Sequence, residues 1–219
     1  MGYRDRDYWR HLVSKEECAL VLDFIPRGNP ADTHHPSHRE RPIAQAIGCG
    51  YFVLLEFHPK PGVEIAIGER VYVGFSRREL RDKVSFVWGE PILYDDLTAI
   101  AKSNLPEAVQ RLVLEKERYF VKFFNIAAPL TIKLHTLELL PGVGKKTLWS
   151  ILNERQVEAF KDFADIRSRV KGFDPVKSLV ERIVSEIRGV ERYYLFVHPP
   201  KNVQAAVYLD YLTKLYSES

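Results

Sequence analysis

Cysteine is nearly missing: Cys18 and Cys49 are the two in 219 residues, and no Cys-x-x-Cys pair exists. That excludes a zinc ribbon, a thioredoxin-type site and a disulfide-stapled scaffold, and it fits a reducing compartment. Long apolar runs are missing too. The longest, around Tyr51 to Leu55, is far short of the ~20 residues of a spanning helix, so no membrane partner is expected. The opening Gly2-Tyr3-Arg4-Asp5-Arg6-Asp7 alternates charges and has no apolar core, unlike a signal peptide. A cytoplasmic protein is the expectation.

Charge of one sign is scarce as well. Lys plus Arg total 32 and Asp plus Glu 29, a net of +3, which excludes a histone-like polycation and an acidic solvating tail. The surplus has an address: residues 131–219 carry 14 basic against 11 acidic side chains, and the rest of the chain is balanced. Catalytic signatures are equally thin. No Lys-x-Asp-Gly tetrapeptide of an adenylating ligase occurs. Gly144-Lys145 lacks the earlier glycine and the following Ser or Thr of a phosphate-binding P-loop. A hairpin-type glycosylase needs a helical domain larger than residues 131–189. The expectation is a non-catalytic protein with no catalytic residue, no metal and no cofactor.

What is present reads as α+β: an N-terminal five-stranded OB-like β barrel (1–94), a helical connector (95–130), a C-terminal tandem helix-hairpin-helix (131–189), and a strand plus terminal helix (190–219). In the first part, Glu17 to Pro26 is a β-like run, and residues 27–42 form a long polar loop. Cys49 to His58, Val63 to Ile67, Arg70 to Phe75 and Val84 to Trp88 supply four more strands, the last with Val84, Phe86 and Trp88 on one face. Short strands with tight turns close on themselves to hide their edges, which points to a barrel of the OB type. OB faces stack unpaired bases on aromatic rings beside cations. Tyr72 is the candidate ring, because Gly74 leaves its face open; Phe52 is the second, though a core position suits it better. Arg77, Arg78, Arg81 and Lys83 form a local basic run diluted by Glu79 and Asp82, and Arg77 and Arg78 are its candidate contacts. His34, His35 and His38 have zinc-like spacing, but no local fourth ligand, so a polar loop is the simpler reading.

In the connector, Asp95 or Asp96 is a plausible helix cap, and Pro106 opens an amphipathic helix running to about residue 125. The sharpest motif follows. Leu134 and Leu137 give one helix an apolar side, Leu148, Ile151 and Leu152 a second, and Leu140-Pro141-Gly142-Val143-Gly144-Lys145-Lys146 lies between. Two glycines let a phosphate approach the main chain, and the helix that follows offers free N–H groups and the positive end of its dipole. Lys145 and Lys146 sit where folding alone prefers acids, by about 0.3–1 kcal/mol each, so an anion is expected to dock there. A second, divergent copy runs through a helix capped by Asn153, then Arg167, Arg169, Lys171 and the turn Gly172-Phe173-Asp174, into an amphipathic helix from Pro175 that Gly189 closes. Val190 to Val197 reads as a strand and Val203 to Tyr216 as a last helix.

The Leu140–Gly144 turn with apolar Leu137, Leu148 and Ile151 resembles the helix-hairpin-helix family of nucleic-acid-binding motifs. That resemblance implies a backbone-amide grip on phosphate at Gly142, Gly144 and Lys145, with Val143 and Lys146 beside them as further candidate contacts. Arg169, Lys171 and Gly172 hold the corresponding places in the second copy, where Asp174 replaces a phosphate-friendly residue, so that copy either grips phosphate or is mainly structural. Leu148 departs from the small residue usual there. The chain as a whole resembles an archaeal family of unknown function that joins an OB-like domain to tandem hairpins and is regarded as nucleic-acid-binding. The carrying stretches are Glu17 to Pro26, Tyr51 to His58, Leu137 to Ile151, Val170 to Pro175 and Tyr193 to Pro200. The implied partner is RNA or DNA, RNA foremost. A protein partner in a ribosomal or transcription assembly is the alternative.

Overall fold

A computed structural model of the chain describes residues 3–30 and 36–217. They form an α+β protein whose five-stranded antiparallel sheet curls into a half-barrel, with seven α-helices among the described residues. The elements fall into two compact units. The first holds residues 1–108 with 187–189 and 200–202; the second holds 109–186, 190–199 and 203–219.

The first unit opens with α1 (Tyr3–Ser14), followed by β1 (Cys18–Ile25), β2 (Ile43–Gly48), β3 (Leu54–Pro59), β4 (Arg70–Tyr72) and β5 (Val84–Val87). Spatial order is β4-β1-β2-β3-β5, all antiparallel. Register slips at Val21/Asp23 and His58/Pro59 bend the sheet, as bulges do. Ala19, Val21, Ala44, Ala46, Leu55, Phe57, Val71, Val84 and Val87 fill the concave core with Leu12 and Val13. The other face of β2 is buried as well. Gln45 there donates to Asp96 O (3.0 Å) and accepts from Thr98 N (2.8 Å), while Asn104 donates to Leu22 O (2.9 Å).

Several expected strands shift. Cys49 to Val53 is a turn, organised by the buried Glu16 carboxylate, which accepts from Gly50 N (2.6 Å), Tyr51 N (2.8 Å) and Val53 N (3.2 Å). A Cβ at Gly48 would meet Glu16 Cδ at 2.1 Å, so this packing requires glycine. Phe52 sits in that turn at φ 60° and is fully buried, a core ring. Strand β2 takes the place of the missing strand, and Val63 to Ile67 is irregular. In β5 Val84 is buried but Phe86 is 50% exposed, because the slip at Pro59 breaks the alternation.

The first turns of α2 (Ala99–Glu115) belong to this unit. Thr98 caps α2 by accepting from Ala101 N (3.0 Å), whereas Asp96 accepts from Leu93 N (2.9 Å) in a preceding 3₁₀ turn. The helix therefore starts before Pro106, which lies inside it.

In the second unit α2 ends and α3 (Glu117–Ile126) begins, broken at Lys116. Then come α4 (Lys145–Val157), α5 (Phe163–Arg169), α6 (Pro175–Arg188, whose last two residues group with the first unit), β6 (Tyr193–Tyr194), β7 (Val207–Tyr208) and α7 (Tyr211–Ser217). Asn153 lies inside α4, and Asp162 caps α5 instead, accepting from Asp165 N (2.7 Å). The tail is two short parallel strands before a short helix, since Ala205 (φ 56°) and Asp210 (φ 49°) turn the chain. Phe123, Phe124, Phe163, Ile166 and Phe196 make the core.

Candidate nucleic-acid interface

The chain from His135 to Lys145 builds the first of the two expected hairpin turns. Its leading helix is only a 3₁₀ turn, Thr136–Leu139, because Pro141 lies two residues beyond its end. His135 and Glu138 cap that turn reciprocally: Leu137 N donates to His135 Nδ1 (3.1 Å) and His135 N donates to Glu138 Oε2 (2.8 Å). Leu137, Leu140 and Val143 bury inward, and Gly142 takes φ 82°, a conformation glycine suits. Gly144 is the N-cap of α4, and no side chain caps that helix. Leu148 and Ile151 fill the core side, so the larger residue at 148 is accommodated.

The second turn has the same build. Val143 N donates to Leu140 O (3.1 Å) and Phe173 N to Val170 O (3.3 Å). Gly142 and Gly172 (φ 76°) both precede a buried apolar residue, a cap and a helix. The caps differ. Asp174 accepts from Val176 N (3.0 Å) and Lys177 N (3.2 Å), so its own carboxylate fills the anion position at α6. At α4 that position is open. A Cβ built at Gly144 meets nothing within 4 Å, and its φ of −82° suits any residue. Neither packing nor backbone geometry requires glycine at 144. Ser178 Oγ donates to Pro141 O (2.6 Å) and Arg182 Nη1 to Leu139 O (3.0 Å), so α6 clamps the first turn.

The cations divide. Lys145 Nζ pairs with Glu138 Oε1 at 2.7 Å, so one of the two lysines that stand where folding alone prefers acids has a partner within the fold. The pair steers Lys145 without hiding it: the side chain remains 66% exposed. Lys146, Lys171 and Gly172 are exposed. Arg169 is a correction to its expected role in phosphate contact. Its guanidinium meets Glu154 Oε2 (3.1 Å), Asp165 Oδ2 (3.1 Å), the carbonyls of Glu154 and Glu158, and the Phe160 ring. Its donors are spent inside the hairpin.

On the half-barrel, the Tyr72 hydroxyl donates to Glu17 Oε2 (2.8 Å). Its ring tip fills the space above Gly74, where a Cβ would lie 2.4 Å from the hydroxyl. Gly74 thus receives the ring instead of exposing its face. Arg77 stands 3.8 Å from Glu17, with 63% of its side chain exposed, and Arg78 lies 5.9 Å from the Phe75 ring. Arg81 is buried, its guanidinium holding the carbonyls of Val73 (2.8 Å) and Gly74 (3.1 Å). A cavity of about 790 Å³ opens beside Arg78, Phe86 and Trp88. His38 forms part of its wall, paired with Glu56 at 3.3 Å. His34 and His35 lie outside the described residues. Among the described residues no group of three or more His, Cys, Asp or Glu side chains could hold a metal ion, and no helix is long and apolar enough to cross a membrane. Cys18 and Cys49 are free thiols on adjoining backbone, and a hydrogen bond between them, with burial, pushes the Cys49 thiol up.

Two titratable groups shape the first turn. The Lys145 ammonium and the His135 amide hold the Glu138 carboxyl below its ordinary range. Burial, with Arg155 and Lys145 nearby, holds His135 below the ordinary 6.5. A base with a lowered folded pKa binds fewer protons folded than unfolded, so stability falls as pH drops below the unfolded value and until the folded one is passed. Protonation also removes the Nδ1 lone pair that caps the turn. Wild type should therefore lose stability as pH falls from about 7 through the unfolded value, by about 1 kcal/mol once protonation is complete, the size of a lost cap. His135→Asn, which keeps an acceptor without a titration, should lose less. Urea unfolding across that range checks it; identical profiles would remove His135 from the account.

A family model described as a protein of unknown function, DUF655, matches residues 15–198. The uncharacterised protein MJ0038 of Methanocaldococcus jannaschii is 40% identical over 190 residues, 86% of this chain and 82% of that protein. The crystal structure of Af1531 from Archaeoglobus fulgidus, a DUF655 protein, is similar with a TM-score of 0.74 and 41% identity, covering 84% of this chain and 100% of that one.

Proposed function

The chain belongs to the DUF655 family of proteins of unknown function, and we propose that it binds nucleic acid, RNA foremost, without catalysis. The Pro141–Lys146 turn grips a backbone phosphate. The turn at Gly172 is its structural partner in a tandem helix-hairpin-helix. The half-barrel, an OB-like element, makes a second contact.

One observation carries this reading: of two turns built alike, one has its helix N-terminus filled by Asp174 and the other, at Gly144, is left open beside Lys145 and Lys146. An open N-terminus flanked by cations favours an oxyanion. Support for the second contact is of a different kind. The strand order β4-β1-β2-β3-β5 fits a partly open five-stranded barrel, and the cavity beside Arg78 and Phe86 adds cations and an exposed ring.

Few cations are engaged, so the salt dependence should be shallow. With about three phosphates neutralised, log K should fall against log salt with a slope of about −2 to −3. Fluorescence anisotropy with a labelled single-stranded RNA and the matching DNA, started at low salt, measures this. Absence of binding to both at low salt, or binding indifferent to salt, would overturn the reading. Selective capture of a ribosomal or transcription-complex protein instead would put an assembly role in its place.

A further inference from the structure

Trp149 stands 61% exposed on α4. Trp88, by contrast, packs edge-on to His38 (4.5 Å) and Phe86 (5.1 Å), and Trp9 to Tyr8 (5.4 Å). Trp149 has no ring partner among the described residues. Single exposed apolar residues are ordinary, so its position must decide. It lies four residues after Lys145 and three after Lys146, the spacings that bring side chains together on one helix face. The 131–134 turn joins that face, because Lys145 Nζ reaches Lys133 O at 3.5 Å, and Ile132 on that turn is fully exposed. The result is an exposed indole on the helix face that carries Lys145 and Lys146, with the exposed Ile132 on the turn whose Lys133 carbonyl Lys145 Nζ reaches.

We infer that this face stacks an unpaired nucleobase, with Trp149 as the platform, so that the ligand is a single strand, a loop or a strand end. The inference rests on the nucleic-acid reading above and names the ligand within it. Charge complementarity selects the occupant: a nucleotide offers a flat apolar base next to an anionic phosphate, matching an indole next to ammonium groups. Aromatic stacking accepts any base, since every base has a π face, and a fully paired duplex has no base free to supply. An exposed tryptophan is also a weaker helix former than alanine or lysine, so the helix itself gains nothing from it.

The test uses the full chain with an oligouridine single strand and a blunt RNA duplex. Trp149→Ala should weaken single-strand binding about 5- to 150-fold, the effect of one stacked base, and leave duplex binding nearly unchanged. Trp149→Phe should keep most of the affinity but lose Trp149's share of the ligand-induced quenching of tryptophan fluorescence expected of wild type. An unchanged melting temperature keeps misfolding out of the comparison. Equal effects on single strand and duplex, or no effect on either, would overturn the inference while leaving phosphate binding at Gly144 intact. Failure of wild type to bind either ligand at low salt would overturn both.

Discussion

Gly144→Asp is expected to make the protein slightly more stable and a much poorer binder of nucleic acid. Glycine is an adequate N-cap, and aspartate is a better one by a few tenths of a kcal/mol, with a further ~0.3–1 kcal/mol from a negative charge at the helix start. The site can take it: φ is −82°, ψ is −179° and a Cβ meets nothing within 4 Å. The second turn has already made this substitution, since Asp174 occupies the equivalent place and accepts from Val176 N and Lys177 N. The same carboxylate at 144 would hold the amides a phosphate needs and repel the phosphate as well. Losing hydrogen bonds to a charged group costs about 1.5–3 kcal/mol, so affinity should fall about 10- to 150-fold, with a salt slope shallower by about one. Opposite signs in the melting curve and the binding curve are the diagnostic. A variant that binds as well as wild type would place the phosphate elsewhere. Gly144→Ala, which adds a methyl and no charge, separates steric from electrostatic exclusion.

The contrast between Gly144 and Asp174 was readable in the sequence, because turn chemistry is local: a glycine at positive φ, a buried apolar residue and a cap leave their mark within four positions. The same holds for β1, whose apolar run stands between turns, and for α6, whose apolar steps recur at helical spacing. Strand β2 left no such mark. It is buried on both faces, so Ile43-Ala44-Gln45-Ala46-Ile47-Gly48 shows no alternation, and the one polar residue that interrupts it is satisfied by Asp96 and Thr98, about fifty residues away. The Cys49–Val53 turn escaped for a similar reason, since the carboxylate that shapes it belongs to Glu16. In the site, Arg169 looked available although Asp165 stands four residues before it, because its other partners Glu154 and Glu158 lie on another helix or at its end, and only packing shows that its donors are engaged. Trp149 stands at helical spacing from two lysines, but only its exposure, a property of the fold, singles it out. What is written locally was legible; what depends on a distant partner was not.

Arg182→Met is expected to destabilise the second unit by about 3–5 kcal/mol, a large share of the 5–15 kcal/mol typical of a domain. Arg182 and Glu186 are four residues apart on α6, with side chains 4% and 0% exposed and an Nε–Oε1 distance of 2.8 Å. The guanidinium also meets Leu139 O (3.0 Å), Glu191 Oε2 (2.9 Å) and Tyr193 O. Glu186 accepts from the amides of Leu195 (2.7 Å), Phe196 (2.9 Å) and Val197 (2.8 Å). Burial pushes the Glu186 carboxyl up, and Arg182 with the three amides opposes that. Methionine fills the volume but leaves the carboxylate buried without a counter-charge and frees three acceptors at once. Arg182→Met with Glu186→Gln removes the orphaned charge and keeps one accepting oxygen, but turns an NH2 toward amides that the second carboxylate oxygen served, so it should recover part of the loss and not all of it. Urea unfolding of the two single variants and the double closes that cycle. If the single arginine variant unfolds within about 1 kcal/mol of wild type, the pair is not what joins the tail to α6. Because the same guanidinium holds Leu139 O, the first hairpin turn should loosen in that variant, and its remaining folded fraction should bind nucleic acid less tightly than Gly144→Ala does. The buried pair and the exposed turn are then coupled: the guanidinium holds the Leu139 carbonyl at one end of the turn whose other end, at Gly144, opens α4.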